Sequence, residues 1–324
     1  MPSESHTADY DFTVPTAVYS ITVTLEGEAG EEDSGFDQPD SGDGGYVEGD
    51  LSVQPGDTLY IRKSSGGAGQ YAYVGGDSID IRTGGTSLSD RVAVAAGGGA
   101  AARDTTGGGG GDGGALTGED GERGDDGYLG AGSGGSQTSG GAGGEDSGGS
   151  SISGSDGQFG SGGDSGFDGG GGGAGWYGGG GGGASDSVDG AGGGGGSNYV
   201  DGLSNVPYNG NERGGSNRDF GQGGLATLEW EPASVGNLSV STNSDTSLSL
   251  NWSPPDGFDP STYYIDRSTY DGGYSQIATS STTDFTDSGL PQARGITTAS
   301  APTTSTRATV TPRPRRFPAR ASTG

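Results

Sequence analysis

The 324-residue sequence contains no cysteine and a single histidine, His6. Without cysteine the chain cannot form a disulfide or a thiolate metal site. The lack of cysteine excludes a Cys–His pair and the single histidine excludes a multi-histidine metal site, so a Ser–His–Asp triad would have to use His6. We interpret His6 as a solvated residue of a polar leader over residues 1–8. We therefore expect no enzyme, no cofactor and no bound metal.

Long apolar runs are also missing, because no stretch reaches the 18 or so residues that a membrane-spanning helix needs. Membrane insertion is therefore not expected. The first residues carry neither the basic nor the apolar region of a secretory signal. Apolar residues make up 27% of the chain, whereas an ordinary globular chain has about 45–50% with glycine counted in. One conventional core cannot extend over the whole length.

Positive charge is scarce. Lys63 is the one lysine, and 43 acidic against 15 basic residues give a net charge of −28. A nucleic-acid partner is not expected, because affinity for phosphate depends on clustered lysine and arginine. An acidic excess keeps a protein hydrated in molar salt, where the screening length falls to about 3 Å. We interpret the source as a halophilic host; an acidic low-complexity protein from an ordinary host is the alternative.

What the sequence has in excess is glycine, with 77 residues, of which 55 fall within residues 97–224. As a flexible coil such a block keeps the entropy that ordering would cost. It can become ordered where polyproline II chains pack side by side, because a face without Cβ lets backbones approach and hydrogen-bond. Collagen is excluded, since the runs 107–111, 169–173, 178–183 and 192–196 break a strict G-x-y period.

The segments on either side of the glycine block alternate like β-strands. Ile21, Val23 and Leu25 fall on one face, and residues 46–53 and 58–62 are predicted to form a hairpin around the turn at residues 54–57. Further strands are predicted at 78–82, 91–95 and 225–230. If the last of these joins the front strands, the glycine block is closed at both ends. The sequence thus predicts an all-β fold.

Several motifs carry a family resemblance: FTVP at 12–15, GYVEGDLSVQPGDTL at 45–59, DIRTGGTSLSDRVAVAAGGG at 80–99, GWYG at 175–178 and GGGGGSNYV at 192–200. Residues 9–231 resemble the glycine-rich module of tailed-phage adhesins, of microbial glycine-rich surface proteins and of the anaplastic lymphoma kinase receptor. The resemblance implies a β-sandwich that supports a bundle of polyglycine (polyproline II) helices over about 97–224, with loops presenting the binding surface. The short glycine runs of residues 115–168 depart from this pattern.

Residues 233–290 resemble an incomplete fibronectin type III domain, an immunoglobulin-like β-sandwich. The motifs are GNLSVS at 236–241, SLSLNWSPPD at 247–256, TYYIDR at 262–267 and FTDSGL at 285–290. The predicted core consists of Leu238, Val240, Leu248, Leu250, Trp252, Tyr264 and Ile265. A complete domain of this type continues with a strand that bears a tyrosine corner. The sequence after residue 290 does not match that strand.

The sequence changes character again at residues 291–324. After Asp287 there are no acidic residues and six arginines, so a net charge of −34 up to that point rises to −28. Codons for residues 291–306, read from the third base, permit the string SGTRYHYRVRAYDEY, which is similar to the missing fibronectin strand. Our hypothesis is an out-of-frame tail; the alternative is a disordered basic tail.

Aromatic residues within or beside the glycine block are the candidate receptor-binding residues. They are Tyr128, Phe159, Phe167, Trp176, Tyr177 and Tyr208. Such side chains either plug the junction between the glycine helices and the sandwich or lie exposed at loop tips, where aromatics anchor recognition surfaces. For Trp176 and Tyr177, beside long glycine runs, packing is favoured; for Tyr128, Phe159 and Tyr208 the two alternatives are balanced.

These features together predict a non-enzymatic, surface-exposed virion protein of a virus that infects a halophile, a tail-fibre or spike adhesin. The resemblance to adhesins and the absence of an export signal motivate this prediction. The expected partners are other virion proteins and a host cell-surface glycan or S-layer protein. Whether the chain forms a homo-oligomer is left open. A capsid turret or decoration protein on the virion surface and a cellular surface adhesin, extracellular or at the cell surface, are the alternatives.

An ordered glycine block should give the protein a cooperative thermal transition. We expect circular dichroism in molar salt to show this transition, because a packed backbone loses its hydrogen bonds together. A disordered spectrum that is insensitive to heat would contradict the ordered bundle.

Overall fold

The computed structural model describes residues 1–15, 17–32, 39–68, 73–103, 106–124, 129–145, 153–184, 190–211, 218–254, 262–267, 275–288, 290 and 309–313. The chain divides into two compact units, the first formed by Met1–Val14 with Ser20–Glu231 and the second by Pro15–Tyr19 with Pro232–Gly324. Regular structure in the described residues is β-strand, apart from a single 3₁₀ turn at Leu88–Asp90. The predicted all-β class is confirmed.

The first unit contains two antiparallel sheets. Its strands are β1 (Ser3–His6), β2 (Tyr10–Thr13), β3 (Ser20–Glu26), β4 (Tyr46–Ser52), β5 (Thr58–Ser64), β6 (Ser78–Thr83), β7 (Arg91–Ala95), β8 (Ser204–Gly210) and β9 (Leu225–Trp230). One sheet has the order β1-β9-β3-β4-β8 and the other the order β2-β5-β6-β7. As predicted, β9 joins the front strands and lies between β1 and β3.

The core of this sandwich follows from strict alternation. Ile21, Val23 and Leu25 on β3 are completely buried, whereas the threonines between them are half-buried. Ile61 on β5 and Ile81 on β6 supply the apolar face of the other sheet. Burial of such side chains contributes about 1.5–3 kcal/mol each, so the sandwich is held by an ordinary side-chain core.

The predicted hairpin of residues 46–62 is wrong, although its turn is correct. Gly56 has a φ of +87° and Asp57 donates its N–H to the Gln54 carbonyl, as a turn with proline second and glycine third requires. The two strands nevertheless lie in different sheets, because β4 pairs with β3 and β8 while β5 pairs with β2 and β6. Both strands bury an apolar face in one core. A turn that connects the two sheets buries these faces as well as a hairpin within one sheet would.

The segment interpreted as a leader contains a strand. Residues Ser3–His6 form β1, the edge strand that pairs with β9. The His6 ring stacks on Tyr10 with ring centroids 3.8 Å apart, and the residue is half-buried rather than fully solvated. An edge strand can carry polar residues on both faces, so its sequence shows no alternation that would predict it.

The run of six glycines at residues 178–183 shows how the glycine block is ordered. Successive N–H groups of the run donate to three different segments in turn. Residues three apart in the run therefore donate to the same segment. Gly178 and Gly181 donate to the carbonyls of Gln158 and Ser155, Gly179 and Gly182 to those of Gly173 and Gly170, and Gly180 and Gly183 to those of Ser133 and Gly130. Three residues per turn, with every bond leaving the segment, is the geometry of a polyproline II helix.

The carbonyls of the same run accept hydrogen bonds from three further segments. Their donors lie at residues 141–144, 163–166 and 191–194. The run is therefore surrounded by six neighbours. Residues 191–196 have an equivalent environment, since they donate to segments 180–183, 119–122 and 97–100 and accept from segments 111–114, 132–135 and 170–173. The helices pack hexagonally, with backbone hydrogen bonds in place of side-chain contacts.

Glycine is required where these helices touch. A Cβ added to Gly180 would overlap the carbonyl oxygen of Ala142, and one added to Gly194 would overlap that of Ser133. Alanine is present in the bundle at positions where its methyl group fits: Ala174 and Ala191 are completely buried. The glycine content therefore reflects a packing requirement and not flexibility.

The bundle also extends beyond the predicted 97–224 insert. Gly30 donates to Gly42, Gly42 to Gly99, and Gly67 to Gly172, so loops from the front of the chain join the bundle. At its other end, residues 204–210 form β8 of the sandwich. Helices form within the 115–168 stretch as well, because residues 118–122, 130–136, 141–144 and 154–157 all exchange backbone hydrogen bonds with neighbours.

The second unit contains two three-stranded sheets. Its strands are β10 (Gly236–Ser244), β11 (Ser247–Ser253), β12 (Thr262–Arg267), β13 (Ser275–Ser280), β14 (Asp284–Asp287) and β15 (Thr309–Arg313). The sheet orders are β10-β11-β14 and β13-β12-β15. Strand β15 lies within the segment predicted to be disordered or out of frame; its β-branched Thr309, Val310 and Thr311 favour a strand. The rest of residues 291–324 lies outside the described residues.

The core of the second unit is smaller than predicted. Leu250, Trp252, Tyr263 and Ile265 form its buried cluster. Tyr263 replaces the predicted Tyr264, which is half-buried, because the inward face of β12 carries residues 263 and 265. Leu248 is half-buried, and Leu238 and Val240 are exposed to 36% and 45%.

Substitution within the glycine bundle tests its packing. We expect Gly180→Ala to lower the free energy of unfolding of the first unit by about 3 kcal/mol, because the new methyl group overlaps backbone that cannot move alone. Gly183→Ala is the matched control one turn along the same run, where the nearest atom to the added Cβ is 3.2 Å away. The control should stay within about 1 kcal/mol of the parent. Equal effects in urea unfolding would contradict the packing argument.

Candidate functional site

Three predicted aromatic residues meet at one end of the glycine bundle. The Phe159 ring lies 4.8 Å from Trp176, edge to face, and 5.1 Å from Tyr177. Tyr199 stacks on Trp176 with centroids 3.8 Å apart and planes within 9°. Residue 199 forms a bridge to Val94 of β7, so this cluster lies where the bundle meets the sandwich. All four side chains are half-buried.

Arg91, the first residue of β7, holds the cluster together. Its guanidinium donates to the carbonyls of Leu88, Gly175 and Trp176 at 2.9, 2.8 and 3.0 Å. It also lies 4.4 Å from the Phe159 ring centroid and 4.7 Å from that of Trp176, within the range of cation–π attraction. Burial lowers the pKa of Arg91 to about 10, which leaves the group charged at neutral pH.

Trp176 has little free surface for a ligand. Tyr199 stacks on its ring, Arg91 lies against it, and its Nε1–H donates to the Gln137 carbonyl at 3.2 Å. These contacts favour the packing alternative for Trp176. The surface that the cluster offers to a partner therefore comes from the outer parts of Phe159 and Tyr177, both half-buried.

A polar rim with one exposed apolar side chain lies next to the cluster. The Gln137 side-chain amide donates to the carbonyls of Leu116 and Asn198 at 3.1 and 2.8 Å. The Leu116 side chain is 53% exposed. The Ser136 hydroxyl contacts Ser139 within the same turn. We call the turns at residues 115–117, 136–139, 158–160 and 175–177 the aromatic end of the bundle.

The remaining predicted residues lie elsewhere. Tyr208 is on β8, where it packs edge to face on Tyr46 at 5.5 Å and donates its hydroxyl to the Asn211 carbonyl. Phe167 is half-buried in a turn at the start of segment 169–175. Tyr128 lies outside the described residues. The six predicted residues therefore do not form one site: three of them gather at the aromatic end.

An acidic groove lies at a different place on the first unit. It encloses about 820 Å³ and is lined by Glu31, Glu32, Asp40, Asp43, Asp112, Glu122 and Asp219 together with Phe220, which is 40% exposed. Within the described ranges, no group of acidic or histidine side chains has an arrangement that could hold a metal ion. The groove therefore contributes negative surface charge.

Sequence reasoning did not identify Arg91, Gln137 or Leu116 as part of this end. A signal for Arg91 was present, because an arginine that opens an otherwise apolar strand, RVAVA, in a chain with few cations has to find a specific partner. Gln137 and Leu116 belong to turns that the chain brings together only through the bundle, so no local pattern marks them.

The sequence matches no protein-family model, and no curated protein is significantly similar to it. The described residues contain no helix long and apolar enough to cross a membrane. The site therefore has to be interpreted from its own chemistry. It offers aromatic and aliphatic surface, an amide and hydroxyl groups, which suit non-covalent contact with a partner.

Replacement of Arg91 tests its role in the cluster. We expect Arg91→Lys to lower the free energy of unfolding by about 3 kcal/mol, because one ammonium group cannot reach three carbonyls and two rings at once. Arg123→Lys is the control, since Arg123 is exposed on the first unit, where substitutions usually change stability by no more than about 0.5 kcal/mol. An Arg91→Lys protein as stable as the control in urea unfolding would show that the cluster does not depend on the guanidinium.

Proposed function

We propose that this chain is a non-enzymatic, surface-exposed adhesin of a virus that infects a halophile, in a tail fibre or spike. The observation that carries the proposal is the hexagonal glycine bundle, in which segments such as 178–183 are held by backbone hydrogen bonds to six neighbours. A core made of backbone leaves the side chains of its turns free to contact a partner. Turns on a rigid support are a common way to present a recognition surface.

The aromatic end supplies the contacts that this function needs. Phe159, Tyr177 and Leu116 provide apolar surface beside the amide of Gln137 and the hydroxyl groups of residues 136–139. A sugar ring or a peptide strand combines apolar faces with hydrogen-bonding groups and fits such a surface. Because the turns are fixed by the bundle, little conformational entropy is lost on binding. The proposed partner is a host cell-surface glycan or S-layer protein.

The charge agrees with this setting. A net charge of −28 would oppose a compact fold and repel an acidic cell surface at low ionic strength. In molar salt the screening length is about 3 Å, so both effects are confined to close contacts. Contact with a partner then depends on short-range apolar and hydrogen-bonding surface.

A capsid turret or decoration protein is the second candidate. The observation that favours it is that Trp176 and Arg91 are engaged in packing, as expected for a junction whose task is to keep the bundle rigid. In this role the bundle would act as a spacer, and the aromatic end would contact no receptor.

Adsorption competition separates these two functions. In molar salt, the purified protein should reduce adsorption of the virus to its host cells, and Leu116→Ser should need about tenfold more protein for the same effect, because burial of a leucine contributes about 1.5–3 kcal/mol. Phe220→Ser is the matched control, since Phe220 is 40% exposed in the acidic groove, and it should compete like the parent.

Two outcomes would contradict the adhesin. One is normal adsorption in the presence of a large excess of folded protein, and the other is normal adsorption of a virus from which the gene has been deleted. If such a virus also carries a less stable capsid, the decoration function replaces the adhesin.

A further inference from the structure

The second unit has an open core on one side. Val240 of β10 lies opposite Leu250 of β11 in antiparallel register, and opposite residues point to the same face of a sheet. Leu250 is 3% exposed, whereas Val240 is 45% exposed. Leu238, two residues before Val240, shares its face and is 36% exposed. Two apolar side chains therefore face the core without being covered.

The position of this opening follows from the sheet orders. Strands β13 and β14 both contribute partly buried side chains, Ile277, Ala278 and Phe285, to the buried cluster. They lie at one end of their respective sheets, and β10 and β15 lie at the other ends. The strand beside β12 at the β15 position is thus the one placed to cover β10.

Strand β15 is short for this position. It has five residues and lies at the edge of its sheet, where proline, here Pro312, is tolerated. Strand β10, which a strand at this position would have to cover, has nine residues. In the part of the chain that the structure describes, the buried Trp252 Nε1–H also finds no acceptor.

The nucleotide text behind residues 291–306 can encode a better strand. The second frame begins at the third base of the Pro291 codon. Each of its codons joins the third base of one printed codon to the first two bases of the printed codon that follows. The first base of each shifted codon is the degenerate third base of a printed codon, and SGTRYHYRVRAYDEY is one of the strings that these constraints permit. Its YHYRVRA portion alternates in the manner of a half-buried strand: tyrosine, tyrosine, valine and alanine on one face, histidine and two arginines on the other. The acidic residues that the chain lacks after Asp287 return in its DE pair.

We propose that the functional protein continues beyond Leu290 in this second frame and that the strand so encoded occupies the β15 position beside β12. Its apolar face closes the core over Leu238 and Val240, and its seven alternating residues replace the five of β15. The inference concerns the second unit alone and does not depend on the proposed function.

Hydrogen exchange of the full chain tests this proposal. In one variant residues 291–305 are replaced by SGTRYHYRVRAYDEY, and in the control variant by a string of the same composition without alternation. We expect amide protection of β10 and β11 to rise at least tenfold in the first variant relative to both the control and the parent. Val240→Ser added to the first variant should remove most of that gain. Equal protection in the frame-restored and control variants would overturn the proposal.

The gene itself gives a second, independent test. Read in the second frame, the third bases of codons 291–305 should encode this strand, or one with the same alternation of apolar and basic residues. A stop codon in the second frame within this stretch would overturn the proposal, as would third bases that encode no alternating strand.

Discussion

The structure depends on one interaction, the hydrogen bond between the backbones of neighbouring glycine helices. Because polyproline II helices make no internal hydrogen bonds, every N–H and carbonyl of segment 178–183 is available to a neighbour. The bond forms only if the helices approach closely, and a Cβ at Gly180 or Gly194 would prevent this. The glycine content, the small apolar fraction and the absence of a large side-chain core in this part of the chain follow from that requirement.

A backbone core has to be fixed at its ends, because glycine helices carry no side chains that would select their neighbours. In the first unit the sandwich provides this: β7 leads into segment 96–103 and β8 follows segment 190–198. The cluster of Arg91 with Phe159, Trp176 and Tyr199 lies at this junction. The aromatic end thus serves the fold as well as offering a surface. The second unit follows the opposite principle, since its few strands rely on a side-chain core that is open at Leu238 and Val240.

Sequence patterns predicted the parts of the fold that depend on local chemistry. Alternation at Ile21, Val23 and Leu25 marks a strand with one buried face, and Pro55-Gly56 marks a turn. The same patterns failed where two arrangements bury the same side chains. Strands β4 and β5 joined across two sheets satisfy alternation as well as a hairpin does. Polar β1 satisfies no pattern at all, because an edge strand has little to bury.

The sequence by itself determined the all-β class, the acidic surface, the lack of thiol and multi-histidine chemistry, and the need for an ordered glycine block to pack by its backbone. These properties depend on residue type and short spacing. Only the tertiary structure decided which helices surround segment 178–183, that loops at Gly30 and Gly67 join the bundle, and that Arg91, Gln137 and Leu116 meet at one end. Glycine has no side chain to encode its neighbours, so their identity is set by chain connectivity and by the geometry of the sandwich.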